Sequence, residues 1–127
     1  KHAPNYQAKY GILLDMVGAK VPRYTKEGSS VSYAGAVLDK VWSLAQKMGH
    51  GNSFVNENSP PLVDDHYFIN KVAGIPMIDI INRPTNDHFV AHWHTVNDQL
   101  VNIDPETLKF TGQVVLAVVY REANGEF

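Results

Sequence analysis

The sequence predicts an α/β fold in which parallel strands alternate with amphipathic helices. Two short apolar runs, at 10–17 and 75–81, have the length and composition of strands that are buried on both faces. Each is followed later in the chain by a segment whose apolar residues recur at helical spacing, over 33–48 and after Pro105. This alternation is typical of a layered fold whose functional groups collect at the carboxyl ends of the strands.

The composition is that of an ordinary globular protein, with 44% hydrophobic and 19% charged residues. A length of 127 residues suits one hydrophobic core, so we expect a single α/β domain over 1–127. The net charge of -2 offers no basic surface for phosphate groups, and nucleic acid is therefore not expected as a partner. Because the chain has no cysteine, any metal must be bound by His and carboxylate side chains. No apolar run reaches the ~18 residues of a transmembrane helix.

The first part of the chain is expected to contain one strand and one long helix. The strand at 10–17 carries Asp15 near its carboxyl end. Residues 18–32 are rich in Gly, Pro, Ser and Thr, which predicts a loop. Ser32 is a suitable N-cap for the helix over 33–48, because its hydroxyl can accept a hydrogen bond from a free N–H group of the first turn.

The middle of the chain is expected to be less regular. Residues 53–56 suit a brief strand, and the prolines that follow predict a loop over 57–61. Either Asp64 or Asp65 can then cap a short helix over 65–72. These two acids therefore have a structural explanation as well as a chemical one.

The last part of the chain combines a strand, a long loop and a terminal helix. The strand at 75–81 is followed by a loop over 82–103 that is rich in polar and aromatic residues. Loops of that length in a compact domain are usually functional. Asp104 and Pro105 then mark the start of the helix, since Asp is a favoured N-cap and Pro is tolerated in the first helical turn.

Three groups of polar residues stand at the predicted strand ends or in the loops after them. A carboxylate inside an apolar strand is expensive to bury unless it is paired or bound to a cation, which makes Asp15 the most informative of these residues. Each group also has an ordinary explanation, namely a salt-bridged acid at a strand end, a helix cap, and histidines bonded to solvent or backbone. The groups are Asp15, the Asp64-Asp65-His66 triple, and His92, Trp93 and His94 with Asp98.

Several kinds of chemistry have no support in the sequence. No serine lies in a Gly-x-Ser-x-Gly turn, there is no cysteine nucleophile, and no Gly-rich phosphate-binding motif is present. What remains is a hydrolytic or acyl-transfer site in which a bound zinc acts as a Lewis acid and carboxylates move protons.

Four motifs lie at the predicted strand ends or in the segments beside them. They are GILLDMVGA at 11–19, VDDH at 63–66, GIP at 74–76 and WHTVND at 93–98. Taken in this order, they resemble the later motifs of the family that contains zinc aminopeptidases and glutaminyl-peptide cyclotransferases. The resemblance implies a zinc exopeptidase-like three-layer sandwich, in which helices flank a mostly parallel, mixed sheet and only the C-terminal part of the domain is present.

The resemblance also implies roles for individual residues. His94 matches a zinc ligand of both branches of the family. Asp15 matches a ligand of the second zinc in the aminopeptidases, or an acid of the proton network in the single-zinc cyclases. Asp64 matches the first of two aspartates in the cyclase acid network, where the aminopeptidases usually have serine. Trp93 and Phe89 match the aromatic walls around the N-terminal glutamine of a cyclase substrate.

The function implied by the resemblance is zinc-dependent conversion of an N-terminal glutamine to pyroglutamate with loss of ammonia, with a peptide N-terminus as substrate. A zinc aminopeptidase of the same family is the alternative, and a non-catalytic α/β binding module is another. The family's earlier ligand segment and general base have no counterpart in the 127 residues. We therefore expect an upstream segment to complete the site, and this chain alone to be inactive. The resemblance further implies a periplasmic or secreted protein.

Overall fold

A computed structural model describes residues 7–127 of the chain as strands and helices in alternation. A π-helical turn at Ile69–Ala73 extends the second helix, and a 3-10 turn at Leu100–Asn102 precedes the third. The predicted α/β fold is confirmed. The elements in order are β1 (Gly11–Asp15), β2 (Tyr24–Glu27), α1 (Gly28–Lys47), β3 (Phe54–Ser59), α2 (Asp65–Phe68), β4 (Met77–Ile81) and α3 (Pro105–Ala123).

The strands form two parallel pairs. Strand β1 pairs with β4 in a register that runs from Gly11 opposite Met77 to Asp15 opposite Ile81. Strand β2 pairs with β3, also in parallel. An antiparallel bridge between Tyr24 and Asn82 connects the two pairs directly after β4. The parallel arrangement expected from the strand–helix alternation is therefore present, with one antiparallel link.

Helices lie on both faces of the β1–β4 pair. Ile78 and Ile80 of β4 are fully buried in the hydrophobic core, together with side chains of α1 and α3 such as Leu38 and Val114. Because successive side chains of a strand point to opposite faces, Asp79 projects away from this core. It faces α2.

Helix α1 begins five residues earlier than expected, at Gly28, and strand β2 precedes it. The prediction of a loop over 18–32 was wrong from Tyr24 onward, and the prediction of Ser32 as the N-cap was wrong. The N-cap is Glu27, whose carboxylate accepts hydrogen bonds from the N–H groups of the first turn. The helical backbone is interrupted at Ala34, where φ is -138° and ψ is 32°. The apolar periodicity marks the regular part of the helix from this residue onward, and for that reason it missed the first turn.

Strand β3 is longer than expected, so the prediction of a loop over 57–61 was wrong in its first half. Ser59 is buried and pairs with Glu27 across the strands, and its hydroxyl accepts a hydrogen bond from Thr25 at 2.8 Å. The side chains before it are exposed and polar, which hid the strand from any test based on hydrophobicity. The short helix that follows and the terminal helix start as predicted, with Asp64 and Asp104 as their N-caps.

The long loop after β4 is held at both ends. At its start, the guanidinium of the buried Arg83 donates hydrogen bonds to the carbonyl oxygens of Pro60 and Asn86. At its end, the N–H of Asp104 donates to the carbonyl oxygen of Gly18 at 2.7 Å. The loop therefore lies across the carboxyl end of β1. Within residues 7–127, no helix is both long enough and apolar enough to cross a membrane.

Candidate active site

Three aspartates meet near the carboxyl end of β1. One carboxylate oxygen from each of Asp15, Asp64 and Asp79 lies within 4.8 Å of the other two. The strand register explains two of them: Leu13 is opposite Asp79 and Asp15 is opposite Ile81, so both acids project from the same face. Asp64 reaches the cluster from the N-cap position of α2. The fold thus brings together the two acids expected from the sequence and adds a third.

The aspartate cluster cannot be fully ionised near neutral pH. Asp79 is completely buried, and neither of its oxygens has a hydrogen-bond partner among the described residues. Burial raises the pKa of Asp79 to about 8, against the opposing effect of the His66 charge. Burial and the negative charge of Asp64 raise the pKa of Asp15 as well. Like charges at this separation disfavour simultaneous ionisation, so the cluster retains a proton that it can exchange.

A buried ion pair stands behind the cluster. Glu27 Oε2 lies 2.9 Å from His66 Nε2, and both side chains are fully buried. Burial opposes ionisation of Glu27, but hydrogen bonds from the His66 ring and from three backbone N–H groups outweigh it and lower the pKa of Glu27 to about 2. Burial also opposes the charged imidazole, yet the hydrogen bond to Glu27 and the charge of Asp79 outweigh it and raise the pKa of His66. Each side chain therefore stabilises the charged form of the other.

The loop after β4 carries a row of three neighbouring rings, those of Phe89, Trp93 and His94. The Phe89 and Trp93 ring centroids are 4.7 Å apart, and the Trp93 and His94 centroids are 3.9 Å apart with nearly parallel planes. The Arg83 guanidinium lies 5.7 Å from the Phe89 centroid, which anchors the row to the protein interior. The three loop residues singled out by the sequence are therefore adjacent, with His94 at the outer end.

A small cavity connects the aromatic row to the end of β1. It measures about 250 Å³ and is lined by Met16, which directly follows Asp15, and by His92, Trp93 and Asp98 of the loop. Met16 and His94 both adopt left-handed backbone conformations, with φ of 51° and 56°. For residues with a side chain this costs about 1–2 kcal/mol each, so both turns are maintained by the surrounding structure.

The residues present do not complete a zinc site. Structural and catalytic zinc ions take at least three protein ligands, usually including His nitrogen or Cys sulfur. In the described part of the chain, His94 belongs to no group of three potential ligands, and the one such group is the aspartate cluster. A cluster of carboxylate oxygens alone suits harder cations such as Mg²⁺ or Ca²⁺. Any zinc bound through His94 therefore needs ligands from outside residues 7–127.

Three buried residues of this region were not predicted as site residues. Asp79 carries the same signal that identified Asp15, a carboxylate within an apolar strand, and that argument would have found it. His66 belongs to one of the three polar groups identified in the sequence, but no role was predicted for it. Glu27 carried no signal, because its segment was expected to be a loop. Its position becomes informative only when β2, α1 and α2 are brought together.

An acid cluster and a histidine-bearing loop at the carboxyl ends of parallel strands define an enzyme-like α/β site. The family is shown directly: residues 1–119 match the model of Peptidase family M28. The chain belongs to this peptidase family, whose members are zinc-dependent. No curated protein sequence matches the chain.

Solved structures agree with this assignment. A glutaminyl cyclase from Tannerella forsythia is 45% identical with a TM-score of 0.88, and the match covers 94% of this chain and 42% of that one. A Zn-dependent exopeptidase from Parabacteroides distasonis is also 45% identical, with a TM-score of 0.88 and coverage of 94% and 41%. A leucine aminopeptidase precursor from Bacteroides thetaiotaomicron is 44% identical, with a TM-score of 0.86 and coverage of 92% and 39%. The chain spans about two fifths of the length of these structures.

Proposed function

We propose that the complete protein is a zinc-dependent glutaminyl-peptide cyclotransferase and that this chain supplies its acid cluster and aromatic wall. The observation that carries the proposal is the position of Asp64, whose carboxylate lies within 4.8 Å of those of Asp15 and Asp79. A third carboxylate at this distance favours a role for Asp15 in proton sharing. The similarity to a glutaminyl cyclase of the same fold supports the same conclusion.

The reaction is an intramolecular acyl transfer. The α-amine nitrogen of an N-terminal glutamine attacks the carbonyl carbon of its own side-chain amide, so that a C–N bond forms and the bond to the amide nitrogen breaks. One amine proton leaves with that nitrogen as ammonia, and nothing is oxidised or reduced. Because both reacting groups belong to one residue, the enzyme must mainly orient them and move the proton.

The residues of this chain fit both tasks. Trp93 and Phe89 form a continuous apolar surface that can hold the glutamine side chain against the loop. Asp15 directly precedes Met16 of the cavity wall, and the cluster that Asp15 forms with Asp64 and Asp79 can take up a proton and return it. We assign substrate binding to the two aromatic residues and proton transfer to the two acids.

Zinc is part of the proposal with His94 as one of its ligands. The remaining ligands and the general base are proposed to come from a segment upstream of this chain. Two findings support this: the chain covers about two fifths of similar solved structures, and His94 lacks companion ligands among residues 7–127. The chain by itself is expected to be inactive.

A zinc aminopeptidase is the second candidate. Three carboxylate oxygens within 4.8 Å can also hold a divalent cation, and Asp15 would then be a ligand of a second metal. Two of the similar structures are named as an exopeptidase and an aminopeptidase precursor. In that case the products would be a free amino acid and a shortened peptide.

One assay separates these candidates. The complete protein is incubated with a peptide that begins with glutamine, and the products are analysed by mass spectrometry together with an ammonia assay. We expect loss of ammonia with the peptide bonds intact, and no reaction with the matched N-acetylated peptide, whose amine is blocked. Release of free glutamine would instead identify an aminopeptidase. If the zinc-loaded protein forms neither ammonia nor free glutamine, both enzyme activities are ruled out and the binding module remains.

A further inference from the structure

We propose that the buried Glu27–His66 pair is a positioning device that holds the Asp79 carboxyl group against Asp15 and Asp64. The inference rests on the proposed function, in which Asp15 and Asp64 transfer the proton. Neither member of the pair is expected to touch substrate or zinc, because both are fully buried behind the cluster. Their effect on the reaction would be exerted through the aspartate cluster.

Glu27 is fixed by five hydrogen bonds. Its Oε1 accepts from the N–H groups of Ser29 at 2.7 Å and Leu62 at 2.6 Å. Its Oε2 accepts from the N–H and the hydroxyl of Ser30, both at 2.8 Å, and lies 2.9 Å from His66 Nε2. An N-cap needs only one or two of these contacts. The full set holds the carboxylate in one orientation and directs one oxygen at the histidine.

This arrangement determines the state of the His66 ring. Since Glu27 Oε2 is an ionised acceptor, Nε2 carries a hydrogen and donates it. The other ring nitrogen, Nδ1, has no hydrogen-bond partner in the described part of the chain and lies 3.8 Å from Asp79 Oδ2. The carboxyl groups that face the ring are those of Glu27, Asp79 and Asp64. Because Nε2 is taken up by Glu27, Nδ1 is the ring nitrogen that faces Asp79.

A second connection reaches the main chain of Asp79. The hydroxyl of Ser30, which donates to Glu27, accepts a hydrogen bond from the Asp79 N–H at 2.9 Å. Glu27 is therefore connected to Asp79 twice, through His66 to the side chain and through Ser30 to the backbone. Side chains from three separate elements, α1, α2 and the β2–α1 junction, converge on this one strand residue. A helix cap alone would not require this convergence.

The kinetic test uses the complete protein and substitutions that remove the pair. Glu27→Gln retains one oxygen to cap α1 but cannot accept from both Ser30 and His66, and His66→Phe fills the space without polar atoms. We expect each to lower kcat by about 10–100-fold, the range found when partners behind a reactive group are removed. KM and zinc content should stay within about twofold, since neither residue contacts substrate or metal.

Thr111→Val is the matched control. It removes a buried hydrogen bond of 2.9 Å between Thr111 and the hydroxyl of Tyr24, on the core side of the fold. We expect it to lower the melting temperature while kcat changes by no more than about twofold. Unchanged kcat in folded Glu27→Gln and His66→Phe proteins would overturn the proposal. The proposal would also be overturned if Thr111→Val, at the same melting temperature as Glu27→Gln and His66→Phe, lost as much kcat as they do.

A spectroscopic measurement keeps the inference testable if these variants do not fold or the enzyme proves to have another activity. The ring ¹⁵N resonances of His66 in the complete wild-type protein are assigned by their loss in His66→Gln. We expect Asp79→Asn to shift the Nδ1 signal much more than the Nε2 signal, because Nδ1 is the ring atom that faces Asp79. An Nδ1 signal that is insensitive to Asp79→Asn would contradict the positioning role whatever reaction the enzyme catalyses.

Discussion

Asp15 and Asp79 project from the same face of two neighbouring parallel strands, two residues apart in register, and their carboxylate oxygens approach within 4.8 Å. This relationship brings one half-buried and one fully buried acid together at the end of β1. Asp64 completes the cluster from the N-cap of α2. Burial and mutual repulsion then keep a proton within it, and the following predictions depend on that proton and on the loop beside it.

The first prediction concerns the pH dependence of stability. The folded-state pKa of Asp79 is raised from 3.8 to about 8, so between these values the folded protein binds a proton that the unfolded chain has released. Stability should therefore fall as pH rises through this window, by at most about 1.4 kcal/mol per pH unit. The raised pKa of His66 acts in the same direction, because the stability that the charged imidazole contributes is lost as pH rises through the folded-state pKa of His66.

Asp79→Asn should flatten this dependence, because the amide carries no ionisable proton. The measurement is urea unfolding of both proteins at several pH values from 5 to 8, with the exposed Asp87→Asn as the control. A variant with the same slope as wild type would show that Asp79 is not the group responsible.

The second prediction concerns the aromatic row. Trp93 packs against Phe89 and stacks on His94, so Trp93→Ala should remove one wall of the binding surface and loosen the histidine. We expect KM for a glutamine-initiated peptide to rise about tenfold, equivalent to a loss of about 1.4 kcal/mol of binding. Trp93→Phe should recover most of this loss. Val96→Ala, an exposed loop change, should leave KM unchanged, and an equal effect of both alanine variants would argue against a specific role for Trp93.

The third prediction concerns zinc. Residues 1–127 alone should bind zinc only weakly, because His94 has no companion ligands among the described residues. The complete protein should bind it tightly, and His94→Ala should lower its zinc content severalfold, as measured by elemental mass spectrometry after dialysis. His88→Ala, which changes an exposed histidine of the same loop, is the control. Tight, stoichiometric zinc binding by the 127-residue chain would contradict this assignment of ligands.

The fourth prediction concerns self-association. Strand β1 pairs with β4 on one edge, and its other edge has no partner strand within residues 7–127. Beside it lies an apolar groove of about 500 Å³ lined by Ile12 of β1 and by Val115 and Val119 of α3. Unpaired strand edges and exposed apolar surface promote association. Residues 1–127 produced alone should therefore form dimers or larger species in analytical ultracentrifugation.

Val119→Lys should reduce this association, because it places a charge in the groove. Val72→Lys is the matched control, since Val72 is an exposed valine on the π-helical turn and does not line the groove. A wild-type chain that sediments as a monomer would show that the groove and edge do not drive association.

The sequence predicted the elements whose periodicity is strong and missed those that are fixed by tertiary contacts. Strands β1 and β4, the regular part of α1, and α3 with its Asp104 cap were expected. Strand β2 and the first turn of α1 were not, because polar residues in both are buried through hydrogen bonds rather than through apolar packing. The Thr25 hydroxyl donates to Ser59, and the N–H groups of Ser29 and Ser30 donate to Glu27. Hydrophobic patterning cannot register such contacts.

The candidate site divides in the same way. Asp15 could be identified because it interrupts an apolar strand, and the same argument applies to Asp79. The proximity of Asp64 to both depends on how α2 packs on the sheet, which no local pattern encodes. Glu27 is the extreme case, since its link to the site depends on a histidine 39 residues away.

The products that the complete protein forms from a glutamine-initiated peptide, with wild type and Asp64→Ala compared at equal zinc content, decide between cyclisation and peptide cleavage. Wild type should form one ammonia and one pyroglutamyl peptide per turnover, and the rate for Asp64→Ala should be lower by about 10²-fold or more, as is typical for loss of a proton-transfer group. Free glutamine as the product, or full cyclisation activity without the Asp64 carboxylate, would contradict the proposed function.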